Sequence, residues 1–132
     1  RQGAAVALGT AARALIVQRK HTEAIQVLVA AQEYSKSASD ERTEAMVLMD
    51  LASALADAGN LDAAGALQSA GAILGARAGM RLPEPLAKTV EQTIQDGRDG
   101  DMIAGARRWL DELREQAARQ RIAARETSSH GG

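Results

Sequence analysis

The sequence predicts an all-α domain, with about six helices paired as antiparallel hairpins that stack side by side. Three observations lead there. Apolar residues recur at three-and-four spacing in one segment after another, separated by short polar breaks. The chain is 45% hydrophobic but only 2% aromatic, with no Phe, one Trp and one Tyr, so Ala, Leu, Ile, Val and Met must fill the core. Small side chains let helices approach closely, whereas strands usually recruit aromatic and β-branched residues. The third observation is an internal repeat: the first two hairpins match each other 40 residues apart.

Residues 4 to 19 place Val6, Leu8, Ala11, Ala12, Leu15 and Ile16 on one helical face. Arg19-Lys20-His21 interrupts that pattern, and Thr22 offers an N-cap to a second helix through Ile25, Val27, Leu28 and Ala31 to about Tyr34. Ser35 to Asp40 is polar, and Ser39 or Asp40 can cap a third helix whose Met46, Val47, Leu48, Leu51, Ala52 and Leu55 turn inward. Gly59 stops it. Asn60 then caps a fourth helix through Ala63, Ala64, Leu67, Ala70, Ile73 and Leu74, ending near Gly79. Leu82-Pro83-Glu84-Pro85 opens a fifth, since Pro is tolerated in a first turn, with Leu86, Ala87, Val90 and Ile94 as its stripe. Gly97 to Gly100 reads as a turn before a last helix from about 101 to 125, which carries Met102, Ile103, Ala106, Trp109, Leu110, Leu113 and Ala117. Hairpins are thus expected at about 4–35, 40–79 and 82–125 of one domain, 1–126, followed by a flexible tail, 127–132.

A length of 132 residues suits one domain. The net charge of −1 supplies no basic field for nucleic acid, so a nucleic-acid partner is not expected. With no Cys there is no disulfide, no thiolate zinc site and no Cys nucleophile. No apolar run reaches the roughly 20 residues that cross a bilayer, and the N-terminus lacks a basic-then-apolar signal pattern. A cytoplasmic protein away from membranes is the expectation. A start at Arg1 instead of Met suggests a fragment excised from a longer parent.

In the repeat, Leu8, Ala11, Ala12, Leu15, Arg19, Ala24, Leu28 and Ala31 match Leu48, Leu51, Ala52, Leu55, Gly59, Ala64, Gln68 and Gly71. With Ala58-Gly59-Asn60-Leu61-Asp62-Ala63-Ala64 as the inter-helix turn, this pattern resembles the tetratricopeptide repeat. In that family a small residue stands where the two helices of a hairpin cross, since a larger side chain would push the hairpin open, and the resemblance puts Ala24 and Ala64 at that place. The pattern departs in having a period of 40 where that family has about 34 residues, and in lacking the usual aromatics. Longer repeats of this type resemble those that follow the ATPase core of large bacterial transcriptional regulators of the LuxR type. The resemblance covers about residues 4 to 79, and no helix-turn-helix recognition helix follows it.

The resemblance implies a right-handed solenoid whose first helices line a concave binding face. That face would take Val6, Gly9, Arg13, Ile16 and Val17 from the first repeat, and Met46, Met49, Ser53, Ala56 and Asp57 from the second. Packing of the same residues against another domain of the parent, or under the C-terminal helix, is the competing expectation.

No catalytic or metal-binding constellation stands out, and no cofactor is implied. His21 has no second ligand at suitable spacing and reads as a turn residue; His130 lies in the tail. Asp40, Glu41 and Glu44, like Asp111, Glu112 and Glu115, read as solvated ion-pairing faces beside arginines. Gly97-Arg98-Asp99-Gly100 lacks the Gly-Lys-Ser/Thr of a phosphate loop. Arg107, Arg108, Arg114, Arg119, Arg121 and Arg125 alternate with acids along a solvated helix. Trp109 is expected to close the open end of the stack. Together these readings favour a non-enzymatic module that binds another protein or peptide, as the sensor or scaffold part of a bacterial regulator. A homodimerisation domain is the first alternative, and a small-ligand sensor the second.

Overall fold

The computed structural model describes residues 2–131. Its six helices are α1 (Gln2–Val17), α2 (His21–Ser37), α3 (Glu41–Asp57), α4 (Leu61–Arg77), α5 (Glu84–Gln95) and α6 (Asp99–Gly131), and no strand occurs among the described residues.

The repeat is written into the turns. Arg19, Ser39, Gly59 and Gly79 fall at 20-residue intervals, and all four take left-handed backbone, with φ of 60°, 54°, 90° and 80°. In each turn the next amide donates back into the last helical turn: Lys20 to the Leu15 carbonyl at 2.9 Å, Asp40 to Ser35 at 3.0 Å, Asn60 to Leu55 at 2.9 Å and Met80 to Gly75 at 2.8 Å. This hydrogen-bonded reversal satisfies carbonyls that the helix leaves open and turns the chain sharply. Starts are capped as the residue types suggest at two places: the Asp40 carboxylate accepts from the Thr43 amide at 3.1 Å, and Asn60 accepts from Ala63 at 3.4 Å. Thr22 is not a cap. The three-residue turn sets the start of α2 at His21, and Lys20 takes the cap position with no side-chain bond.

α1 packs on α2, α2 on α3 and α3 on α4, with α1 also touching α3 at its edge. Leu28, Leu48, Leu51, Leu55, Leu67, Ile73 and Leu74 are fully buried in the stack. Ala24 and Ala64 are buried in both hairpins, with Ala12 and Ala52 buried on the partner helices. The tightest approach is at Gly71, where an added Cβ would lie 3.1 Å from Met49 Cγ and 3.2 Å from the Ala45 carbonyl oxygen.

The third helix pair differs from the expected hairpin. α5 packs on α4, whereas α6 lies along α4 and α2, and the two do not pack along one another. A longer connection, with Pro83 extended at φ −56° and ψ 146°, separates α4 from α5, and α6 seats its own stripe on α4 and α2. That stripe is Ile103, Ala106, Leu110, Leu113 and Ala117, all buried; α5 buries only Val90 and Thr93. α6 begins at Asp99, so Gly100 is helical, and it runs to Gly131 through most of the segment expected as a tail; Gly132, and with it the end of that segment, lies outside the described residues.

Candidate functional site

α1 and α3 lie side by side because each is the first helix of its hairpin, and the stack shifts one hairpin against the next. Their shared face carries Val6, Arg13 and Val17 from α1 and Met46, Ser53, Ala56 and Asp57 from α3, all exposed. Val17 is 83% exposed, Val6 59% and Met46 42%. A shallow cleft of about 110 Å³ runs between the helices, lined by Val6, Gly9, Arg13, Met46 and Asp50 among others. Arg13 reaches across it to Asp50 at 3.4 Å, a half-solvated pair that fixes little energy but puts one charge of each sign on the floor.

Two residues expected on this face sit differently. Ile16 is half-buried against the core, and Met49 turns into the α3–α4 crossing, where its Cγ fills the space beside Gly71. The absence of a side chain at Gly71 is what draws Met49 inward. α6 does not cover the face, since it packs along α4 and α2.

The opposite side of the stack carries a polar seam. Glu44, read as a solvated acid, is buried on α3, where it accepts from Gln32 Nε2 of α2 at 2.9 Å. Gln32 is itself fully buried and accepts at Oε1 from Arg114 Nη2 of α6 at 2.6 Å. Arg114 also meets Glu33 at 2.6 Å and Asp111 at 2.7 Å, and Arg107 approaches Glu44 at 3.9 Å. Arginines read as a solvated row therefore dock α6. Burying Gln32 and Glu44 without partners would be costly, so the seam also fixes the position of α6. Trp109 is half-buried against the core beside Leu110 and borders an open groove with Gly65, Ala66 and Ser69 of α4.

Two of the remaining acids stand in ion pairs. Glu41 pairs with Arg77 at 2.9 Å, and Glu115 stands 4.0 Å from Arg119. Thr43's hydroxyl, at 2.6 Å, and then its amide hold the Asp40 carboxyl below the usual carboxylate value. His21 is half-buried at the start of α2. Among the described residues no three His, Cys, Asp or Glu side chains gather as a metal site, and no helix is long and apolar enough to cross a membrane. His130 is outside the residues whose side chains are described.

The fold and its faces define an all-α stack of helical hairpins closed on one side by a long helix. Comparisons with protein-family models, with curated proteins and with solved structures return no match.

Proposed function

We propose that this chain is a non-enzymatic module that binds another protein or peptide through the α1/α3 face, as the sensor or scaffold part of a bacterial regulatory protein. One observation carries the reading: Val6, Val17 and Met46 stand exposed on a face that the chain's own C-terminal helix leaves open. Exposed apolar side chains in water, beside the Arg13–Asp50 pair and Asp57, favour a surface that a partner covers. Methionine adapts to varied ligands, which suits Met46 to that role. The tetratricopeptide resemblance points to the same face, and its likeness to the repeat regions of bacterial transcriptional regulators supports a cytoplasmic signalling role.

The reading is tested by placing a photoreactive residue at Met46 or Ser53, and at Asp62 of α4 as a control, in cells that make the protein. A discrete protein adduct from the first two positions and none from Asp62 is the expected result. Equal or absent cross-linking at all three contradicts it. Light scattering of the purified chain at two concentrations separates the homodimer alternative: a dimer dissociated by Met46→Glu would assign this face to a second copy.

A further inference from the structure

α1 and α3 are equivalent helices of one repeat, yet they are not equally covered. Val47, Leu51 and Ala54 of α3 are 4%, 0% and 0% exposed. Their counterparts 40 residues earlier, Ala7, Ala11 and Ala14 of α1, are exposed. Leu48 and Leu55 are buried, whereas Leu8 and Leu15 are only half-buried. The difference has one source. α1 packs on α2 as α3 packs on α4, and α1 and α3 touch each other, but α3 alone has a helix of the preceding hairpin, α2, against its outer flank.

The outer flank of α1 is nevertheless composed like a covered one. α1 carries a single charged residue, Arg13, and that side chain turns away to Asp50 across the α1/α3 cleft. Ala4, Ala7, Leu8, Ala11, Ala14 and Leu15 follow helical spacing along the flank without a polar interruption. It is a different surface from the α1/α3 face.

We propose that this flank is a stacking surface for the second helix of another hairpin of the same 40-residue repeat, lying on α1 as α2 lies on α3. The α2–α3 contact says what kind of helix fits and in which register. Ala7 and Ala11 in place of Val47 and Leu51 let the incoming helix sit closer, toward the lower end of the roughly 8–10 Å range of helix separations. A second copy of this chain does not supply such a helix end to end, because α4, the second helix of its last repeat, already carries α5 as well as α6, whereas α2 carries α3 and α6. Stacked repeats gain stability from each neighbour, so the helix at an uncovered end is the least protected.

The test fuses a copy of residues 1–40 ahead of Arg1, so that Arg1 follows Asp40 of the copy as Glu41 follows Asp40 in the chain. Amide exchange of residues 7 to 14 in the original α1 is compared with the 132-residue chain. The proposal predicts exchange slowed about tenfold or more, and loss of that protection when Ala11→Glu is placed in the fusion. In the 132-residue chain the same substitution, at an exposed position, should leave the melting curve unchanged. A parallel fusion with Ala7→Val and Ala11→Leu, which copies the α3 flank, serves as the control for stacking. Protection in the control without protection in the native fusion overturns the proposal, and so does protection in neither. A dimer of the 132-residue chain that Ala11→Glu dissociates would overturn it in favour of a second copy.

Discussion

Arg19 and Ser39 occupy left-handed turn positions that Gly59, Gly79 and Gly97 occupy in the later turns. A Cβ there costs roughly 1–2 kcal/mol, partly offset by the extra freedom glycine loses on folding. Arg19→Gly and Ser39→Gly are each expected to raise stability by about 0.5–1 kcal/mol in urea unfolding. Glycines inside α4 should behave in opposite ways. Gly65 faces open space, so Gly65→Ala should add about 0.5–1 kcal/mol through helix propensity, whereas Gly71→Val, driven against Met49 and the Ala45 carbonyl, should cost about 2 kcal/mol. Asp40 supplies the pH dependence. Its folded value is depressed by the Thr43 hydrogen bonds, so its stabilisation is present above the unfolded value near pH 4 and is lost as pH falls through the lower folded value. Asp40→Ala should therefore cost about 1 kcal/mol at neutral pH, and thermal melts should show the gap to the parent narrowing below about pH 4. The Asp40 and Asn60 caps were legible because an acceptor side chain stands three residues before the amide it serves. Thr22 misled because turn length, not residue type, decides where α2 begins.

Gln32 and Glu44 show how a helix stripe can hide a polar seam. Gln32 stands four residues after Leu28 and eight after Ala24, and Glu44 four before Leu48, so both occupy inward positions of their helices. The spacing announced their burial, while their polar character argued for solvent. What resolves the conflict is a partner from far along the chain, Arg114, which no local pattern displays. Arg114→Ala leaves the Gln32 Oε1 in the interior without that donor, and should lower stability by about 1.5–3 kcal/mol in chemical unfolding. An unchanged midpoint would mean that α6 is held by its apolar stripe alone. The exposure of Val6, Arg13, Val17, Met46, Ser53 and Asp57 follows the repeat register, whereas the seam depends on a partner distant in the chain. Ile16 and Met49 are the exceptions, the first half-buried against the core and the second turned in beside Gly71.

Across the whole molecule, the helix count and the 40-residue repeat followed from local periodicity, but the docking of α6 did not. A stripe such as Ile103, Ala106, Leu110 and Leu113 says that a helix will be covered, not by which neighbour. Tertiary packing decides that: α6 lies along α4 and α2, and α5 packs on α4. Among the described side chains of α6 burial ends at Ala117, so removing residues 121–132 should change the unfolding free energy by less than about 0.5 kcal/mol. Stopping after Gly97 should abolish the single cooperative transition, since it uncovers the flanks of α4 and α2. With α6 in place on that side, the α1/α3 face is the open side of the stack. The absence of native Cys makes its occupancy directly measurable by labelling single cysteines introduced at Met46 and Ser53, with Asp62 as the reference position. The account predicts rapid maleimide labelling at all three in the purified chain, and slowed labelling at Met46 and Ser53, but not at Asp62, in the cell. Equal labelling at the three positions in both settings would contradict it.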